Sequence, residues 1–170
     1  ERARRLHPDR ILSSRMVRRK KPIGSDLGKW KAKSRWCLHG HTDPDTGSLC
    51  TYAPTPQSES MLLFLQTSVN HQFRTAFSDV KNAFCQSNQL KRESGPIYAE
   101  PCEGLDLPAG ALILILIPVY GLDDAPAAWR STVAEFLVED VGCIRNIVEP
   151  CWFSKFCPKT GQLLAQILVE

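Results

Sequence analysis

Thr75-Ala76-Phe77-Ser78-Asp79-Val80-Lys81-Asn82-Ala83-Phe84 is the stretch on which the reading of this chain turns. Residues 75–80 look like a short strand that runs up to one carboxylate, Asp79, and an aromatic, Phe84, follows five residues later. A lone aspartate at a strand end is more often a turn former or a helix cap than a catalytic group. Phosphoryl transfer by two metal ions, in contrast, needs carboxylates at strand ends, where both ions are held about 3.5–4 Å apart. The second and third carboxylates must then come from a neighbouring strand. The strand-like segment 162–169 is the neighbour that the pattern offers.

Outward from Asp79, residues 58–73 read as a helix, with Ser58 as cap and Met61, Leu62, Leu65 and Val69 recurring on one face. Residues 11–20 and 30–38 read as the two strands of a basic hairpin, turned by Pro22-Ile23-Gly24-Ser25-Asp26-Leu27-Gly28. Residues 1–10 read as a charged, mobile arm, and 42–57 and 86–96 as loops. Short strands are predicted at 97–99 and 111–117. The second is apolar and β-branched, closes at Pro118, and is far too short to span a bilayer, which needs about 20 residues. A second helix is predicted over 125–141, capped by Asp124, opened by Pro126 and ended by Gly142. Residues 151–156 and 162–169 form a hairpin across Pro158-Lys159-Thr160-Gly161. This alternation predicts an α+β fold, an antiparallel sheet with helices packed on one face.

The 170 residues are 43% hydrophobic, enough for a core, which excludes wholesale disorder. Residues 1–41 hold 13 Lys/Arg against 3 Asp/Glu, and the other 129 hold 8 against 15. A basic first quarter on an acidic remainder points to a polyanionic partner or to a solvated arm or localisation signal. The seven cysteines include no Cys-x-x-Cys pair and no histidine at zinc-finger spacing, so reduced intracellular thiols are expected and zinc is not.

Six segments, in order, resemble the reverse transcriptase of Ty1/copia-type retrotransposons. Lys31-Ala32-Lys33-Ser34-Arg35-Trp36-Cys37-Leu38-His39-Gly40 is similar to its fingers motif, and Thr51-Tyr52-Ala53-Pro54 to its Thr-Phe-Ala-Pro. Asp79-Val80-Lys81-Asn82-Ala83-Phe84 matches letter for letter. Ile97-Tyr98-Ala99-Glu100-Pro101, the run from Tyr120 to Trp129 and Glu149-Pro150-Cys151-Trp152-Phe153 are similar to three further motifs. The resemblance covers about residues 11–170 and implies the fingers and partial palm of a right-hand polymerase. It also implies that the Asp-Asp turn holding the other two carboxylates falls just past Glu170.

The resemblance implies a role for each matched residue. Asp79 would be a catalytic, metal-binding carboxylate, with the Val80 carbonyl as a further ligand and Mg²⁺ as the cofactor. Lys33 and Arg35 would grip the triphosphate of an incoming deoxynucleotide. Phe84 would lie beneath its sugar, and Tyr120 and Gly121 would line the pocket. The implied partners are an RNA or DNA template-primer and deoxynucleoside triphosphates, with no membrane. The implied setting is intracellular, a cytoplasmic particle or the nucleus. Asp123-Asp124, Ala127 and Pro118 depart from the family pattern, as a diverged copy would. The other readings are a non-catalytic nucleic-acid-binding remnant using segment 1–41 and an unrelated α+β interaction domain.

Overall fold

In the computed structural model, which describes residues 2–24 and 28–170, the chain forms two compact units. One holds Glu1–Thr51 and Ala83–Trp129, the other Tyr52–Asn82 and Arg130–Glu170. Among the described residues the fold is mixed α+β, with three small sheets in place of the single antiparallel sheet expected. Among the described residues no helix is long and apolar enough to cross a membrane.

The first unit begins with the charged residues read as an arm. They take regular structure, as helix α1 (Arg2–Leu6) and a 3-10 turn (Pro8–Arg10), with Arg10 buried. Strand β1 (Ile11–Leu12) leads into the basic hairpin of β2 (Ser14–Pro22) and β3 (Trp30–Leu38), which pair antiparallel along their whole length. The Ile23 N–H donates to the Lys29 carbonyl at 3.1 Å to close the turn. Residues 25–27 of that turn lie outside the described residues. β1 pairs in parallel with β4 (Ile97–Ala99), and β4 antiparallel with β5 (Ile113–Ile115). Prolines keep these strands short: Pro96 and Pro101 bracket β4, and Pro118 follows β5, none with an N–H for a ladder. The core between them is Leu12, Leu38, Ile97, Ala99, Ile115 and Leu122, against which Trp36 and Phe84 pack. Each such large side chain contributes about 1.5–3 kcal/mol by leaving water.

The second unit contains helix α2 (Ser58–Asn70) and the sheet of β6 (Ile144–Arg145), β7 (Trp152–Phe156) and β8 (Leu163–Leu168), all antiparallel. α2 does not dock through the face expected. Leu62 and Val69 are 69% and 70% exposed, whereas Ser68 is buried. The reason is polar. The Gln166 Nε2 of β8 donates to the Phe64 carbonyl at 3.0 Å and to Ser68 Oγ at 2.8 Å, and Phe64 meets Trp152 edge-on at 5.7 Å. Helix α3 (Ala125–Glu135) runs on as a turn of π-helix (Phe136–Asp140), where Val141 N–H bonds the Phe136 carbonyl. Gly142, at φ +72°, ends it as read. Leu137, Cys143 and Phe153 form the buried core of this unit.

The segment of most interest departs from its reading. Residues 75–80 form no strand; they are irregular and exposed, Phe77 at 94%. Only three of these six side chains are apolar, too few to hold a half-buried strand, and Asn82 (φ +52°) then turns the chain into a 3-10 helix (Ala83–Gln86).

Candidate functional site

β3 positions Arg35 so that its guanidinium carbon lies 5.2 Å from the centre of the Tyr120 ring. Phe84, in the 3-10 helix, meets the same ring at 5.1 Å with the planes tilted 57°. One aromatic ring therefore gathers a cation and a second aromatic, a cation–π contact worth roughly 0.5–1 kcal/mol where exposed. Lys33 is two residues back on the same strand, thus on the same face as Arg35, and is exposed.

The backbone under this cluster is fixed by close approach. Leu38 N–H donates to the Tyr120 carbonyl at 2.8 Å. Gly121, at φ +97°, lies so near β3 that a Cβ there would overlap the Leu38 carbonyl oxygen. Gly40 returns the constraint, since a Cβ on it would overlap the Gly121 carbonyl. Glycine at both positions is what lets the two chains touch. Arg35, Phe84, Tyr120 and Gly121 thus come together in the first unit, with Lys33 at the edge of the group.

Asp79 and Val80 belong to the second unit, where both are exposed. Among the described residues no group of three or more His, Cys, Asp or Glu side chains gathers as a metal site. Two-ion chemistry needs about three carboxylates, and Asp79 supplies one. The residues present do not fit the implied Mg²⁺ pair, and no step through a metal follows from them.

Sequence reasoning missed a buried charge cluster in the first unit. Arg10 bonds Asp45 with both ends of its fork, at 3.0 and 2.7 Å, and also the Gly95 and Pro96 carbonyls at 2.9 and 3.1 Å. Arg92 pairs with Asp43 at 3.1 Å and Asp124 at 3.0 Å, and Ser94 Oγ donates to Asp45 at 2.7 Å. The Arg10 hydrogen bonds hold the Asp45 carboxyl down at about 2. Burial pushes the Asp124 carboxyl up against the pull of Arg92. The partners lie 32 to 86 positions apart in sequence, beyond any local pattern. The one local signal was Asp43-Pro44-Asp45, where Asp45 N–H bonds the Asp43 side chain at 3.0 Å. Within the cluster the Asp124 charge is met by Arg92, while Asp123 faces solvent.

In the second unit Glu149 is the equivalent fixture. Burial works to raise its pKa, but the N–H groups of Cys151 and Gln57, at 3.0 and 3.1 Å, and a bond from Ser60 outweigh it and hold the carboxyl below its ordinary range. The Glu149-Pro150-Cys151 motif is therefore a tie between the start of α2 and the start of β7. No family model matches the chain, and neither a curated protein nor a solved structure matches it.

Proposed function

We propose that residues 1–170 are the fingers and first part of the palm of a copia-type RNA-directed DNA polymerase. The observation that carries this reading is the unbroken match Asp79-Val80-Lys81-Asn82-Ala83-Phe84, set within six similar motifs in order. It gains support from the meeting of Arg35, Phe84 and Tyr120, residues quoted from three separate motifs. A planar guanidinium suits phosphate oxygens, and the aromatic pair offers a floor for a sugar or base. The substrates on this reading are deoxynucleoside triphosphates and an RNA or DNA template-primer. The complete enzyme would use Mg²⁺, inside the cell, in a cytoplasmic particle or the nucleus. Asp79 would be one ligand among carboxylates that these residues do not supply, so residues 1–170 are not expected to polymerise.

The test is a titration of a fluorescent deoxynucleoside triphosphate against the chain and its Arg35→Ala and Lys33→Ala variants. Loss of a charge-assisted contact of about 1.5–3 kcal/mol predicts roughly tenfold or more weaker binding for Arg35→Ala. Equal binding by parent and variant would sink the nucleotide pocket. A second reading, a non-catalytic nucleic-acid-binding remnant using segment 1–41, is favoured by one observation: strands β2 and β3 together carry eight Lys and Arg and no Asp or Glu.

A further inference from the structure

Strands β2 and β3 pair as far as Ser14↔Leu38. One step further, the His39 N–H donates to the Ser13 carbonyl at 3.0 Å, so Ser13 and His39 face one another where the ladder ends. Their side chains meet as well: Ser13 Oγ lies 2.6 Å from His39 Nδ1. The main-chain bond already fixes the register here, so the side-chain bond is not needed to hold the hairpin closed. The His39 backbone is fixed in its turn, because its carbonyl accepts from the Thr42 N–H at 3.0 Å and from the Thr42 hydroxyl at 2.7 Å. The next residue, Gly40, is the one in close approach to Gly121. A hydroxyl and an imidazole 26 positions apart are thus held within reach by rigid backbone on both sides.

Ser13 also lies in the wall of a cavity. An open cleft of about 400 Å³ is lined by Arg4, Pro8, Ile11, Ser13, Thr42 and Glu100, all in the first unit. Small-molecule pockets run from about 300 to 1,000 Å³. His39 does not line the cleft, so the hydroxyl is the member of the pair that a ligand meets. Ser13 is exposed and His39 half-buried. Pro8 and Ile11 make one part of the wall apolar. Arg4 Nη1 donates to Glu100 Oε1 at 2.8 Å, which leaves further N–H donors on its fork. The polymerase reading gives neither Ser13 nor His39 a role.

We propose that Ser13 is a nucleophile with His39 as its general base, and that the cleft takes carboxylic esters with a short apolar acyl chain. A serine hydroxyl is a weak nucleophile until a base within hydrogen-bond reach takes its proton. With its own proton on Nε2, the His39 ring accepts from the Ser13 hydroxyl through Nδ1. Ser13 Oγ bonds to the acyl carbon as its proton passes to His39. The ester C–O bond then breaks, and the leaving oxygen takes the bonding pair and that proton. Water next adds to the acyl carbon, gives a proton to His39 and releases the acid. The Ser13 oxygen recovers its proton from the ring. Arg4, the one cation among the six lining residues, supplies donors to the carbonyl oxygen that gains charge at each tetrahedral stage.

The experiment treats the whole chain with a fluorophosphonate, which forms a P–O bond to an activated serine and loses fluoride, and maps the labelled peptides by mass. Ser34 is the internal comparison, an exposed serine of the same hairpin that faces Arg18 rather than a histidine. General-base assistance predicts labelling of Ser13 about a hundredfold or more faster than of Ser34. His39→Gln should lower the Ser13 rate by about the same factor, leave the Ser34 rate unchanged and keep the parent's melting temperature. A merely structural contact would show no such split between the two serines. With 4-nitrophenyl butyrate, Ser13→Ala should abolish turnover, and loss of a charged donor in Arg4→Gln should slow it about tenfold or more. Equal labelling of Ser13 and Ser34 would overturn the proposal, and that comparison needs no variant to fold. Labelling of Ser13 that is unchanged in His39→Gln, or turnover by Ser13→Ala equal to the parent's, would overturn it too.

Discussion

Asp45 gives the first unit an acid-sensitive contact, its ion pair with Arg10. Its folded pKa of about 2 lies below the ordinary 3.8, so its contribution is fully present above about pH 4 and is lost as pH falls through 2. The difference corresponds to about 2 kcal/mol. Urea midpoints between pH 7 and pH 2.5 should fall by that order in the parent. Asp45→Asn leaves the Arg10 charge buried without its partner, which should cost about 3 kcal/mol at pH 7. It should also flatten the acid dependence below pH 4, and a variant with the parent's pH profile would contradict the assignment. At Gly121, the left-handed backbone and the approach to Leu38 make Gly121→Ala a disruptive change. A loss of at least about 2 kcal/mol is expected in the same assay, and a neutral outcome would show that β3 can shift.

At the scale of elements, the sequence was most legible where hydrogen-bond partners are close in the chain. The strand 30–38 and the strand 97–99 appear as read, and the hairpin over 151–169 with one residue trimmed at most ends. It was least legible where a distant residue chose the outcome. The stripe Met61, Leu62, Leu65 and Val69 predicts the buried face of α2, but Gln166, about a hundred positions on, binds the Phe64 carbonyl and Ser68 instead. Hence Phe64→Ala should cost about 3 kcal/mol, whereas Leu62→Ala should stay within about 0.5. Thermal midpoints of the two variants would decide it. A larger loss at Leu62 would mean that α2 docks through the apolar stripe after all. The segment around Asp79 failed for a related reason. Its motif was read from the order of side chains, whereas a strand needs a neighbour, and no ladder includes residues 75–80.

For the molecule as a whole, the residues that gather around Tyr120 present a cation and two aromatic rings, while Asp79 belongs to no group of three or more acids among the described residues. Polymerisation by two metal ions requires both ions to be held against the attacking and leaving oxygens, and one exposed aspartate does not provide that. Binding and catalysis should therefore separate in residues 1–170. Primer extension with Mg²⁺ and all four deoxynucleotides should not exceed a protein-free control, and the Asp79→Asn variant should be indistinguishable from its parent. That substitution should also leave stability within about 0.5 kcal/mol, because the side chain is exposed. Extension by the parent that Asp79→Asn abolishes would show that the other carboxylates are already present within these residues.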